Sequence, residues 1–254
     1  MRLKTFLTLS YLLLITVCYT QTIIHSHNDY AHDPPFWDAY NNKAGVIEAD
    51  IYPVNGELMV AHDKKNIKAG NTLKNMYILP IVQLFGNKQK DSAHSFYLMI
   101  DIKEDQKTAL EILMNILRQY PSVFDRAINK NAVQVFISGE RPPDSSFHTY
   151  PRYIMFDGLP GKHYTINDLD KIVMISDNFR SYSTWNGSGI FPAADSINIS
   201  NMIQAAHATG KPVRLWGAPD TQQSWGMLLN LHADVINTDK VEACRQFLDS
   251  IKHE

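Results

Sequence analysis

Two carboxylates stand two residues apart in the run Val46-Ile47-Glu48-Ala49-Asp50-Ile51, and a third, Asp101, precedes Lys103 by two in Tyr97-Leu98-Met99-Ile100-Asp101-Ile102-Lys103. Strand side chains alternate with period two, so Glu48 and Asp50 share one face and Ile47, Ala49 and Ile51 the other. Acids this close in an apolar strand are costly to bury unless a cation neutralises them, and hard oxygen donors suit a divalent ion, Mg2+ or Ca2+. Glu48, Asp50 and Asp101 are therefore the candidate metal ligands, with the Lys103 ammonium aimed at an anionic substrate. Taken alone, the first run fits a solvent-facing edge hairpin equally well. The third carboxylate and the lysine favour the metal-phosphate reading.

Asn55-Gly56 suits a tight turn whose central residues need positive φ, and the returning run Glu57 to Ala61 carries His62 back toward the acids. Another run, Thr22-Ile23-Ile24, ends in His25-Ser26-His27-Asn28-Asp29-Tyr30. Imidazole titrates near neutral pH, so His25 and His62 are the candidate general acid and base for cleavage of a phosphodiester. His27 and Asn28 are candidate substrate contacts, or groups that orient a ligand. Trp216, at the end of an apolar run, is a candidate wall of the substrate pocket, with Tyr30 and Arg214 as lesser pocket candidates.

These groups need a frame that gathers them, and the pattern of the chain supplies one. Eight short apolar runs alternate with amphipathic stretches: Thr22–His25, Val46–Ile51, Phe96–Ile102, Ala132–Ile137, Tyr153–Phe156, Ile172–Ile175, Val213–Trp216 and Val235–Asn237. Repeated strand and helix units build parallel sheets, and eight of them argue for a closed α/β barrel of the TIM (β/α)8 type in a single domain, residues 21–254. Helices are expected over 108–120, 200–209, 222–232 and 242–252, whereas prolines at 142, 143, 151 and 160 break the pattern in the middle. In such barrels the chemistry sits at the C-terminal ends of strands, where His25, Glu48, Asp50, Asp101 and Trp216 fall.

Composition narrows the function classes. With 254 residues, 44% hydrophobic, 20% charged and a formal net charge of -2, the chain has no basic footprint for nucleic acid. Arg2 and Lys4 precede the apolar stretch Phe6 to Cys18, the pattern of a secretory signal over residues 1–20, too short for a comfortable membrane span. The expected destination is periplasmic or extracellular. Ile15-Thr16-Val17 is a poor context for lipid attachment at Cys18, which favours release over anchoring. Removal of that segment leaves Cys244 alone, so the exported chain has no internal disulfide.

The order His25, Glu48-x-Asp50, His62-Asp63, Asp101-x-Lys103 resembles the glycerophosphodiester phosphodiesterase and phosphatidylinositol phospholipase C-like superfamily of barrels. The resemblance continues through Ala205 to Trp216 and the closing run Ala233 to Asp239. It implies one Mg2+ or Ca2+ held by Glu48, Asp50 and Asp101, His25 and His62 as acid and base, and a small or lipid phosphodiester as substrate. Glycerophosphodiesterases have His-Arg-Gly where this chain has His25-Ser26-His27-Asn28. That departure is similar to the sphingomyelinase D-like and altered-inheritance-of-mitochondria-type branches. Two rival readings remain: a metal hydrolase of the amidohydrolase type using His25-x-His27, and a barrel that binds a phosphorylated ligand or glycan without turnover.

Overall fold

The computed structural model of the chain describes residues 22–86 and 94–251. The strands are β1 (Ile23–Ser26), β2 (Val46–Val54), β3 (Glu57–Val60), β4 (Tyr97–Ile102), β5 (Gln134–Gly139), β6 (Ile154–Gly158), β7 (Ile172–Asn178), β8 (Val213–Trp216) and β9 (Val235–Thr238). All but β3 coincide with the eight expected runs. They follow one another around a ring, β2-β4-β5-β6-β7-β8-β9-β1, and β1 pairs in parallel with both β9 and β2, which closes a barrel of the TIM type. The remaining strand, β3, is the return arm of the hairpin and pairs antiparallel with β2, Ile51 opposite Val60. Its turn residues Asn55 and Gly56 have φ of 50° and 82°, the left-handed pair that a type I′ turn requires.

The helices are α1 (Trp37–Asn41), α2 (Leu79–Gly86), α3 (Gln106–Leu117), α4 (Pro121–Phe124), α5 (Ile166–Leu169), α6 (Ala193–His207), α7 (Gln222–Asn230) and α8 (Val241–Ser250). In α3, Ala109, Leu110, Leu113 and Leu117 are buried, the stripe that helical spacing dictates, and Asp105 caps the first turn by accepting from the Thr108 amide. The long α6 begins at Ala193 rather than at the expected Ser200, because its first half buries only Ile199 and leaves Ile197 exposed, so no apolar stripe marks it. The proline-broken stretch 141–161 contains a 3-10 turn, Asp144–Thr149, followed by β6. The expected signal segment and Cys18 lie outside the described residues. Among the described residues no helix is long and apolar enough to cross a membrane, and Cys244 is free and buried.

The interior of the barrel changes character in one step. Val46, Met99, Phe136, Met174 and Val235 form an apolar cluster inside the ring. Moving two residues along each of those strands, to the next inward position, gives Glu48, Asp101, Ser138, Ser176 and Asn237. The outward positions Ile47, Ala49 and Ile51 join the large core between barrel and helices. Burying each of the two isoleucine side chains stabilises the fold by roughly 1.5–3 kcal/mol. The apolar floor and the helix layer can thus carry a mouth made almost wholly of polar groups.

Candidate active site

Glu48 and Asp50 point into the mouth from β2, and Asp101 joins them from β4, where Asp50 and Asp101 are direct neighbours across the sheet. One oxygen of each carboxylate can be chosen so that all three lie within 4.8 Å of one another. Lys103 bridges two of them, its ammonium 2.8 Å from Asp50 and 3.4 Å from Asp101. Burial, together with the charges of Glu48 and Asp50, pushes the Asp101 carboxyl up to about 6 although Lys103 opposes the shift. Asp50 is raised by burial and by Glu48. Lys103 reaches only Asp50 and Asp101, and three converging hard oxygens are the donor set that Mg2+ or Ca2+ takes.

The two histidines of His25-Ser26-His27 occupy different depths. Both project inward, but His25 is fully buried, with Nε2 at 2.6 Å from Glu48. Burial and the adjacent Arg214 charge lower its pKa to about 4, so the ring is neutral at physiological pH and its Nε2 proton goes to Glu48. Burial by itself would raise Glu48, yet the His25 hydrogen bond and the Arg214 charge outweigh it and hold the carboxyl below its usual range. His27, two residues nearer the mouth, lines a cleft of about 380 Å³ together with Glu48, His62, Asp101, Lys103 and Trp216. Its Nδ1 lies 2.7 Å from Asp239, which follows β9, and its Nε2 has no partner among the described residues. Burial depresses His27, but the Asp239 hydrogen bond and the nearby carboxylates reverse this and raise its pKa. His25 and His27 therefore turn to different carboxylates, and the His-x-His metal pair of an amidohydrolase-type site does not assemble.

The hairpin delivers His62 as its geometry predicts: Nδ1 stands 3.2 Å from Asp50, which leaves Nε2 toward solvent and cleft. Tyr30 links the two sides of the mouth. Its hydroxyl is 2.6 Å from Asn28 Oδ1, 2.8 Å from Asp50 Oδ2 and 3.3 Å from His62 Nδ1, with one proton to offer among them. Asn28 in turn places its amide nitrogen 3.0 Å from His27 and 3.3 Å from Asp239. Trp216 ends β8 half-exposed on the cleft wall.

Beneath this rim lies a group that sequence reasoning ranked too low. Arg214 is 3% exposed, and its guanidinium reaches Ser176 at 2.9 Å, Asp157 at 3.1 Å, Asn237 at 3.4 Å and Glu48 at 3.7 Å. Its Nη1 is nearly equidistant from the two ring nitrogens of His25, at 3.3 and 3.2 Å, so it lies against the imidazole rather than end-on to one nitrogen. Asp157, also buried, accepts from Ser176 at 2.7 Å, and Arg141 donates to its backbone carbonyl. The available signal for Arg214 was parity: a lone charge at an inward position of an apolar strand is costly unless paired. Asp239 and Tyr30 carried no comparable local mark.

With this geometry in hand, known proteins can be compared. The description "AIM6-like phosphodiesterase domain" matches residues 15–157, more than half of the 254-residue chain. The chain belongs to the AIM6-like phosphodiesterase family. Among curated members, altered inheritance of mitochondria protein 6 of Eremothecium gossypii is 24% identical, over 89% of this chain and 69% of its own length. The homologue in Arthroderma benhamiae is 24% identical over 88% of this chain and 83% of its own. A glycerophosphodiester phosphodiesterase structure from Parabacteroides distasonis superposes with a TM-score of 0.60 at 11% identity, covering 91% of this chain and 98% of that one. One from Agrobacterium tumefaciens gives 0.54 at 12% identity, covering 91% and 100%. Family membership thus rests on sequence, and the structural likeness is one of fold.

Proposed function

We propose that this family member is an exported, divalent-metal-dependent phosphoric diester hydrolase acting on a small or lipid-derived phosphodiester. The observation that carries the reading is the convergence of Glu48, Asp50 and Asp101 beneath one cleft that also receives His27 and His62. The three carboxylates would hold one Mg2+ or Ca2+, which when bound polarises a phosphoryl oxygen and draws the diester onto the site. Lys103 and Arg141, both lining the cleft, supply the cationic contacts for the remaining phosphate oxygens.

The histidine roles follow from access and orientation. His62, fixed through Nδ1 by Asp50, presents Nε2 to take the proton of the attacking hydroxyl, from water or from the substrate itself. His27, held toward its protonated form by Asp239, gives a proton from Nε2 to the leaving oxygen. His25 touches no substrate in this reading; it is a positioning residue that directs Glu48 from below. Export is supported by Arg2, Lys4 and the apolar stretch Phe6 to Cys18.

Hydrolysis of bis(p-nitrophenyl) phosphate by the chain lacking residues 1–20 tests the reading. Activity with Mg2+ or Ca2+ should vanish with EDTA and fall by about 10²-fold or more in His27→Ala and in His62→Ala. Activity that survives both histidine substitutions would overturn the assignment, and indifference to EDTA would overturn the metal. An N-terminus near Gln21 on protein recovered outside the cytoplasm tests export.

A further inference from the structure

His62 borders three hollows. One is the cleft already described, one of about 400 Å³ is lined by Asn28, Tyr30, His32 and Asp239, and the third is a separate hollow of about 410 Å³ between the hairpin's end and the segment that follows it. The third differs from the other two in having no carboxylate among its described lining residues. Glu48, Asp101 and Asp157 line the cleft together with Lys103, Arg141 and Arg214, and Asp239 lines the hollow beside Tyr30. Among the described residues no carboxylate lines the third hollow: its rim bears Lys65, Lys68, Asn66 and Asn71, and its floor is formed by Val60 and Met76. Lys65 is only loosely paired, 3.9 Å from Asp63, and Lys68 has no carboxylate within salt-bridge distance among the described residues. The neighbouring Lys64, by contrast, is committed to Glu104.

We propose that this hollow is a subsite for one ester substituent of the substrate, and that it selects a substituent carrying a further negative charge, such as a carboxylate or a second phosphate. The proposal rests on the phosphodiesterase reading and adds the substrate class. A phosphate seated over the metal ligands has His62 at its edge, so a substituent directed past that imidazole enters the hollow directly. Turned into the cleft, an anionic substituent would lie beside its carboxylates and compete with the phosphate for Lys103 and Arg141; turned toward Tyr30 and His32 it would meet Asp239. Turned toward Lys65 and Lys68 it meets two ammonium groups and two amide donors above an apolar floor that accepts a short methylene chain. A cationic substituent would be disfavoured there by the same charges.

The test uses mixed p-nitrophenyl phosphodiesters that share one chromogenic leaving group and differ only at the end of a four-carbon second substituent: carboxylate, hydroxyl or ammonium. Exposed charge pairs are weak, so kcat/KM should favour the carboxylate over the hydroxyl by about fivefold at low salt, mostly through KM, with the ammonium ester last. The gain should shrink in high salt and disappear in the Lys65→Met/Lys68→Met double variant, while cleavage of the hydroxyl ester stays unchanged. Equal rates for the three esters, or a double variant that slows all of them alike, would overturn the subsite. Bis(p-nitrophenyl) phosphate serves as the control: its cleavage with no charge preference sinks the subsite alone, whereas failure to cleave any diester sinks the phosphodiesterase reading and the subsite with it.

Discussion

Replacing Arg214 with methionine probes the layer that supports the site. The guanidinium is the only full positive charge within salt-bridge distance of the buried carboxylates Glu48 and Asp157 among the described residues. Methionine fills much of the space but leaves Asp157 with Ser176 at 2.7 Å and a long Ser138 contact at 3.5 Å, and Glu48 with His25 alone. Breaking a buried ion pair by deleting one partner costs about 3–5 kcal/mol, because the other charge stays behind in low dielectric. Urea unfolding at pH 7 should therefore show a loss of that size. The pH dependence gives the reasoning a second handle. Asp157 is already raised by burial despite Arg214, and without the arginine it rises further, so the folded variant takes up a proton before the unfolded chain does. The variant's deficit should then be smaller at pH 5 than at pH 7. A double-mutant cycle with Asp157→Asn should recover at least about 1 kcal/mol of the loss. A deficit under about 1 kcal/mol, or one that is the same at both pH values with no coupling to Asp157, would refute the view that Arg214 neutralises this layer.

Two further outcomes follow from single positions. Gly139 ends β5 with φ of 69°, and a Cβ there would collide with the Asp101 carboxylate and the Ile102 carbonyl. Gly139→Ala should lose about 1–2 kcal/mol of stability from the left-handed backbone, and by displacing Asp101 it should weaken Mg2+ or Ca2+ binding in calorimetry; unchanged affinity would count against Asp101 as a ligand. His25 has a folded-state pKa of about 4, below its unfolded value of 6.5, so the unfolded chain binds the proton first and the stability it contributes above pH 6.5 is lost as pH falls toward 4. The wild type should lose about 2 kcal/mol from this group between pH 7 and pH 5, and that component should be missing from the pH profile of His25→Gln measured by urea unfolding.

Local pattern carried much of the fold. Each of the eight expected apolar runs is a strand, the Asn55-Gly56 turn returns the chain as its φ requirement dictates, and α3, α7 and α8 lie where helical spacing puts them. Those features depend on neighbours in sequence: alternation within a strand, a stripe along a helix, two residues of a turn. The same locality explains why Glu48, Asp50 and Asp101 stood out, since acids two apart in apolar strands conflict with burial wherever the strands sit. What locality missed is equally specific. The first half of α6 buries only Ile199, so no apolar stripe marks its start at Ala193.

The sequence by itself thus determined the strand and helix units, the inward parity of each side chain and the identity of the clustered carboxylates. Tertiary structure alone decided depth and partnership. Ring closure between β1 and β9 seals His25 beneath Glu48 and brings Asp239 to His27, although 212 positions separate those two. The same closure places Arg214 within reach of His25, 189 positions away, and turns a lone charge in an apolar run into the counter-ion of a buried layer. Parity along a strand is a property of the backbone next door, whereas height within a barrel and the choice of partner across it exist only once eight strands share one axis.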